Sequence, residues 1–191
     1  EKQGLIKLKD NTNLFSTSAL TAVGSDKDSD KRVNFVSIQN THMVSCEGYH
    51  AQFVRTGYEQ VIAHRVGDGY AVMAPKQGKV IKRTERGDAY GLVVEYEDGS
   101  KAGFEFGRRY GKSDNLYIPH DMVCDLQVGD EFETGEPIIY NSGFFTRDAL
   151  NPKSLVLKNG MYVNVALQET RQTHEDASAI SSRMAGMLGT N

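Results

Sequence analysis

Cysteine is scarce in this chain. Cys46 and Cys124 are the only two among 191 residues, far apart and in no C-x-x-C pair. That usage suits a reducing compartment. No run is long and apolar enough to span a membrane, and no signal-peptide pattern opens the chain. No P-loop, Gly-x-Ser-x-Gly or His-Glu-x-x-His occurs, so nucleophilic hydrolysis has no support in the sequence. Charge of one sign is not in excess either. The net charge of −3 is mild, and any nucleic-acid partner must be met by local basic residues. Internal repeats and low-complexity segments are missing as well.

The length fits one domain or one and a half, enough to bury a core without staples. The chain begins Glu1-Lys2-Gln3 and ends Gly189-Thr190-Asn191, and reads as a piece of a larger or processed protein. Leu14-Phe15 and Ala19-Leu20-Thr21-Ala22-Val23 suit a short helix. The run from Ser25 to Arg32 is a charged, solvated loop by composition. Val33 to Gln39 fits helix or strand, and periodicity does not choose.

From about Gln52 the pattern is β: short apolar or alternating runs between turn residues. Candidate strands include Val61-Ile62-Ala63, Tyr70 to Ala74, Gly78 to Lys82, Gly91 to Tyr96, Phe104 to Phe106, and Asn115 to Ile118 running into Pro119. Asp98-Gly99 predicts a tight hairpin turn. The spacing predicts a mainly β chain with a few helices, α+β in class, with a barrel or barrel-sandwich architecture.

Two segments carry that architecture. Ala74-Pro75-Lys76-Gln77-Gly78-Lys79-Val80 resembles the opening of biotin and lipoyl carrier domains, and Gly129-Asp130 with Gly135-Glu136-Pro137-Ile138 resembles their close. A carrier also needs a lysine flanked by methionines on a hairpin tip, and no Met-Lys-Met occurs. The pair therefore reads as architecture rather than as cofactor attachment.

Basic residues cluster twice: Lys76, Lys79, Lys82, Arg83 and Arg86, and then Arg108, Arg109 and Lys112 beside Tyr110. Either cluster can track a phosphate backbone, and either can be a solvated face. His42, Cys46 and His50 would share one helical face suited to a metal, although Gly48 and Tyr49 interrupt such a helix. Near the C-terminus, Met161 to Leu167 reads as a strand, and Ala177, Ile180, Met184, Met187 and Leu188 follow a helical period. Between them stand Glu175 and Asp176. With Thr173 as N-cap, Asp176 falls where a capping box places its acid, so one reading of the pair is helix capping.

The order of these segments gives a second reading. Asp30-Lys31-Arg32, Thr56-Gly57-Tyr58-Glu59, the Ala74–Val80 stretch, Asn115-Leu116-Tyr117-Ile118-Pro119, Gly135-Glu136-Pro137-Ile138, Leu157-Lys158-Asn159-Gly160, Asn164-Val165-Ala166 and Glu175-Asp176-Ala177 occur in series. That series resembles the central part of the β subunit of multisubunit DNA-dependent RNA polymerases. The likeness spans roughly residues 14–187. It implies a fork-like region over 1–44 and part of a hybrid-binding domain over 45–191. Cellular β subunits carry Gly-Tyr-Asn and an aromatic where this chain has Arg171-Gln172-Thr173-His174. They carry a Met-Gln-Arg-Gln-like run where it has Ile38 to His42. In this divergence the chain is similar to the split polymerases of giant bacteriophages.

The resemblance implies nucleotidyl transfer assisted by two Mg²⁺ ions. The main metal site is expected on a β′-like partner, because no Asp-x-Asp-Gly-Asp occurs here. Glu175 and Asp176 match the acidic pair near the second metal, a task that suits carboxylates toward a hard cation. Arg32 matches the fork arginine that contacts nucleotide phosphates. Lys76, Lys79, Arg108 and Arg109 are the expected nucleic-acid contacts. The implied partners are the β′-like and other polymerase subunits or split β fragments, DNA template, RNA and nucleoside triphosphates, with no membrane. The implied location is cytoplasmic, in the host cytoplasm or the virion if phage-encoded. No activity is expected from this chain alone.

Overall fold

A computed structural model describes residues 15–87, 89–167 and 178–189. The chain divides into two units, Glu1–Met43 with Phe53–Glu59, and Val44–Gln52 with Gln60–Asn191.

In the first unit, serines stand at the start of two helices, α1 (Thr17–Leu20) and α2 (Asp30–Asn40). The Ser16 hydroxyl accepts from the Ala19 amide at 3.2 Å, satisfying one of the donors a helix start leaves open. Ser29 takes the extended N-cap conformation, and Asp30 lies in the first turn, at the positive end of the helix. These start signals resolve Val33–Gln39, where periodicity was ambiguous, as helix. The Asn40 amide donates to the Ser18 carbonyl at 3.1 Å and ties α2 to α1.

From Tyr58 to His64 the chain is helical, against the strand expected at Val61-Ile62-Ala63. Helix α3 (Tyr58–Val61) runs into a 3-10 turn at Ile62–His64. The buried Glu59 carboxylate accepts from the amides of Gly57 at 2.9 Å and Thr56 at 3.3 Å. A carboxylate that gathers these amides favours a helical start over an extended chain. The apolar run is buried by helical side chains, Ile62 and Ala63, rather than by strand pairing.

The second unit is built on an antiparallel, curled, half-barrel sheet of seven strands. They are β1 (Ala71–Met73), β2 (Gly78–Arg86), β3 (Ala89–Tyr96), β4 (Lys101–Ser113), β5 (Leu116–Val123), β6 (Glu131–Phe132) and β7 (Pro137–Asn141). Their order is β1-β7-β5-β4-β3-β2-β6. A separate pair joins β8 (Phe145–Arg147) to β9 (Leu155–Leu157). The protein is thus mainly β with a few helices.

Alternation places the core. Val80 faces Val94 across β2 and β3, and Leu92 faces Phe104 across β3 and β4. Val80, Leu92 and Val94 are buried together with Phe106, Phe132, Ile138 and Ile139. All five residues of β7 are buried, so burial along this strand does not alternate, and polar Asn141 ends it. A bulge between Val80 and Lys82 resets the register and adds to the twist. The expected turn at Asp98-Gly99 closes β3 onto β4: the Tyr96 amide donates to the Ser100 carbonyl at 2.9 Å, and Gly99 has φ +78°. At the β4–β5 turn Asp114 takes φ +52°, a left-handed conformation that aspartate tolerates better than most residues.

Three further expectations are corrected. Pro119 does not end its strand; β5 continues to Val123, with Pro119 opposite Tyr110. Proline is tolerated there because β7 pairs β5 only at Met122 and Val123, so no second ladder needs the missing donor. Met161–Leu167 form no strand. No described strand lies beside them, and Leu167 is 99% exposed, so the alternation has nothing to pair with. Finally, the C-terminal helix, α4, spans only Ser182–Met187, and its cap is Ser181, whose hydroxyl accepts from Met184 at 3.2 Å. Residues 178–180 stand outside it, so Ile180 does not extend the apolar stripe into the helix, and Ala177 lies outside the described residues. Its C-terminal end meets the 46–48 segment, where the Gly48 amide donates to the Met187 carbonyl at 2.9 Å.

Candidate functional site

The two signature segments lie side by side along the sheet. Strand β1 pairs with β7 through Ala71↔Tyr140 and Val72↔Ile139. Beyond β1, Ala74 exchanges backbone bonds with the other segment, donating to the Glu136 carbonyl and accepting from the Gly135 amide, each at 2.8 Å. Gly78 then sits opposite Phe132 and Lys79 opposite Glu131. Val80 completes the run, donating to the Asp130 carbonyl and accepting from the Gly129 amide, each at 2.9 Å. Segments 49 to 62 positions apart are thus stitched together along most of their length.

Gly78 permits the closest approach in this seam. A methyl group there would lie 2.6 Å from the Glu95 carbonyl oxygen and 2.9 Å from the Phe132 ring. Beside it opens a cleft of about 760 Å³, lined among others by Lys79, Glu95, Glu97, Glu131, Glu133 and Lys153. Acids outnumber bases on this lining. Lys79 lies 3.8 Å from Glu131, and Lys153 lies 3.0 Å from Glu133 and 2.7 Å from Glu136. Lys153 and Glu133 were not singled out from the sequence, and Glu136 only as part of its turn segment, since single charges in turns leave no periodic signal.

The basic residues expected to meet nucleic acid are all placed on exposed surface. Lys76 is bonded to Asp98, which raises the lysine pKa and holds the aspartate well below the usual carboxylate range. Arg108 makes a two-pronged bond to Asp121, Nε to Oδ1 at 2.9 Å and an NH2 nitrogen to Oδ2 at 3.2 Å. That pairing raises the arginine pKa further. Arg109 turns back to the Glu105 carbonyl. Lys82, Arg86 and Lys112 show no ion pair among the described residues. Arg83 departs from its cluster. Its guanidinium lies 5.0 Å from the centre of the Phe106 ring and donates to the Leu126 carbonyl at 2.8 Å. This role is structural, a cation on an aromatic face closing one end of the core.

Arg32 belongs to the first unit. It is exposed on α2 with its guanidinium 5.9 Å from the Phe35 ring centre, one turn along the same helix. Glu175, Asp176 and their expected cap Thr173 lie outside the described residues. The His42-Cys46-His50 face does not form. Helix α2 stops at Asn40, and His42 sits in the turn that follows. His50 instead accepts from the Tyr162 amide through Nδ1 at 3.0 Å and stacks on its ring. Cys46 is buried. Among the described residues no three His, Cys, Asp or Glu side chains come together to hold a metal ion. Nor is any described helix long and apolar enough to cross a membrane.

No protein-family model matches the chain, and no curated protein matches it in sequence.

Proposed function

We propose that this chain is a segment of a β-like subunit of DNA-dependent RNA polymerase, acting within a multisubunit complex. Two kinds of support meet here. The sequence segments listed above follow the order of the β-subunit centre. The observation that carries most is the seam, in which Ala74–Val80 and Gly129–Ile138 run together as a barrel-sandwich requires. On this reading the half-barrel sheet is part of a barrel-sandwich hybrid that lines the RNA–DNA hybrid channel.

The division of labour follows from the residues present. The chain has no Asp-x-Asp-Gly-Asp, so a β′-like partner holds the main Mg²⁺. Bound there, Mg²⁺ supplies charge neutralisation for the attacking and leaving oxygens. Glu175 and Asp176 assist near the second metal, and Arg32 presents a fork of donors to the triphosphate. Lys76, Lys79, Arg108 and Arg109 meet phosphates of the hybrid or the DNA without reading sequence. For Lys76, Lys79 and Arg108 this means exchanging a carboxylate partner for a phosphate.

The test is Asp176→Ala in the assembled enzyme. Nucleotide addition should fall while template binding is kept; equal loss of both would remove the assigned role. A second reading draws on the same seam: a barrel-sandwich interaction or carrier module without catalysis. Mass spectrometry finding a biotinyl or lipoyl adduct on a lysine would select it.

A further inference from the structure

Strands β4 and β5 outrun the sheet. β3 pairs with β4 only as far as Gly107, and β7 pairs with β5 only at Met122 and Val123. The Asp121 carbonyl still accepts from the Ser142 amide at 3.0 Å, but from Arg109↔His120 to Ser113↔Leu116 the only backbone ladder among the described residues is between these two strands. A two-stranded ribbon is marginal in water without cover. This one is anchored at its root by the Arg108–Asp121 pair and by His120, which meets the Asn141 amide at 3.0 Å and the edge of Tyr70. Its outer part exposes large side chains: Tyr110 is 64% exposed, Leu116 69% and Tyr117 68%.

Register sorts these side chains by face. Tyr110 is opposite Pro119, and Lys112 is opposite Tyr117. With period 2, Arg108, Tyr110, Lys112 and Tyr117 share one face, and Leu116 and Ile118 share the other. Tyr110 and Tyr117 are diagonal neighbours on that face, a relation that sets Cα atoms about 7–8 Å apart. Lys112, opposite Tyr117 and without an ion pair among the described residues, sets a positive charge beside them, while Arg108 stays paired with Asp121 at the root of the same face.

We infer that this ribbon binds single-stranded nucleic acid, with bases stacked on the exposed rings of Tyr110 and Tyr117 and a phosphate met by Lys112. Aromatic rings and cations alternating on one face suit this occupant, because stacking tolerates any base while cations follow the backbone. The inference deepens the polymerase reading and rests on its nucleic-acid-facing side.

The experiment is fluorescence anisotropy with a labelled oligothymidylate of about 15 nucleotides, titrated at several salt concentrations. The chain should bind, with affinity falling steeply as salt rises. Tyr110→Ala with Tyr117→Ala should weaken binding about ten- to a hundredfold. Lys112→Gln should lower the salt slope by about one. Leu116→Ser with Ile118→Ser, on the other face, should leave affinity unchanged. Ultraviolet crosslinking of the unaltered chain guards against misfolded variants, and the adduct should map to Tyr110 or Tyr117. No binding, undiminished binding by the tyrosine variants, or an adduct elsewhere overturns the inference. Loss of a protein partner on Leu116→Ser/Ile118→Ser, with the oligothymidylate ignored, would make the ribbon a protein-docking arm instead. A chain that co-purifies with a metal-bearing β′-like companion but ignores the oligothymidylate refutes the ribbon alone. One that binds it without such a companion refutes the polymerase reading and leaves the ribbon standing.

Discussion

Replacing Gly78 by alanine sets two effects of opposite sign against each other. A glycine in a strand is entropically costly, and alanine at an unstrained position stabilises by about 0.4–1 kcal/mol through the unfolded chain. At Gly78 the added methyl would lie 2.6 Å from the Glu95 carbonyl oxygen and 2.9 and 3.2 Å from two Phe132 ring carbons. The ring can shift by a few tenths of an ångström. The carbonyl oxygen belongs to β3 and cannot move without disturbing the ladder opposite Lys79. Overpacking of this kind costs about 1–3 kcal/mol, so the net expectation is a loss of about 1–2 kcal/mol. In a urea titration, with a slope of about 2 kcal/mol per molar, the midpoint should fall by roughly 0.5–1 M. Gly103→Ala is the matched control, since no atom lies within 4 Å of a methyl group there. It should be neutral or slightly stabilising. If Gly78→Ala leaves the midpoint unchanged or raises it, the close approach of β2, β3 and β6 is wrong, and with it the seam.

Burial, reinforced by the Asp125 carboxylate, pushes the Tyr140 hydroxyl up to about 12 from its usual 10. Because the folded value is the higher, its contribution to stability is full below pH 10 and is lost as pH rises through about 12. Tyr140→Phe should flatten stability across that window, and absorbance titration should lose its latest-ionising tyrosine. Arg83→Gln removes the guanidinium from Phe106 and from the Leu126 carbonyl; a loss of about 1–2 kcal/mol is expected, read as a thermal midpoint lower by about 2–8 °C. Burial also pushes the Cys124 thiol up, so it should resist a thiol reagent until the chain unfolds.

The sequence was most informative where local chemistry decides the backbone. Asp98-Gly99 forms the expected turn because glycine tolerates the positive φ required there. The two carrier-like segments were recognisable as a pair because their glycines sit at turns and close approaches. Short apolar runs were less legible. Val61-Ile62-Ala63 suits a strand until Glu59, two residues upstream, gathers the amides of a helical start. Met161–Leu167 alternates like a strand, but a strand is made by its neighbour, and none lies beside it among the described residues. The basic clusters were visible as charge. Their carboxylate partners, Asp98 and Asp121, lie 22 and 13 positions away and become neighbours only through hairpin register. Tyr117 joins Tyr110 on one face by the same register, which no linear pattern announces.

Purification of this chain from its native source, with every companion identified by sequence, tests the central claim most directly. The account predicts a tightly bound companion carrying Asp-x-Asp-Gly-Asp, in a complex that extends RNA on a DNA template. A chain that purifies alone, or with companions lacking that motif, would contradict the polymerase assignment and leave Glu175 and Asp176 without a catalytic role.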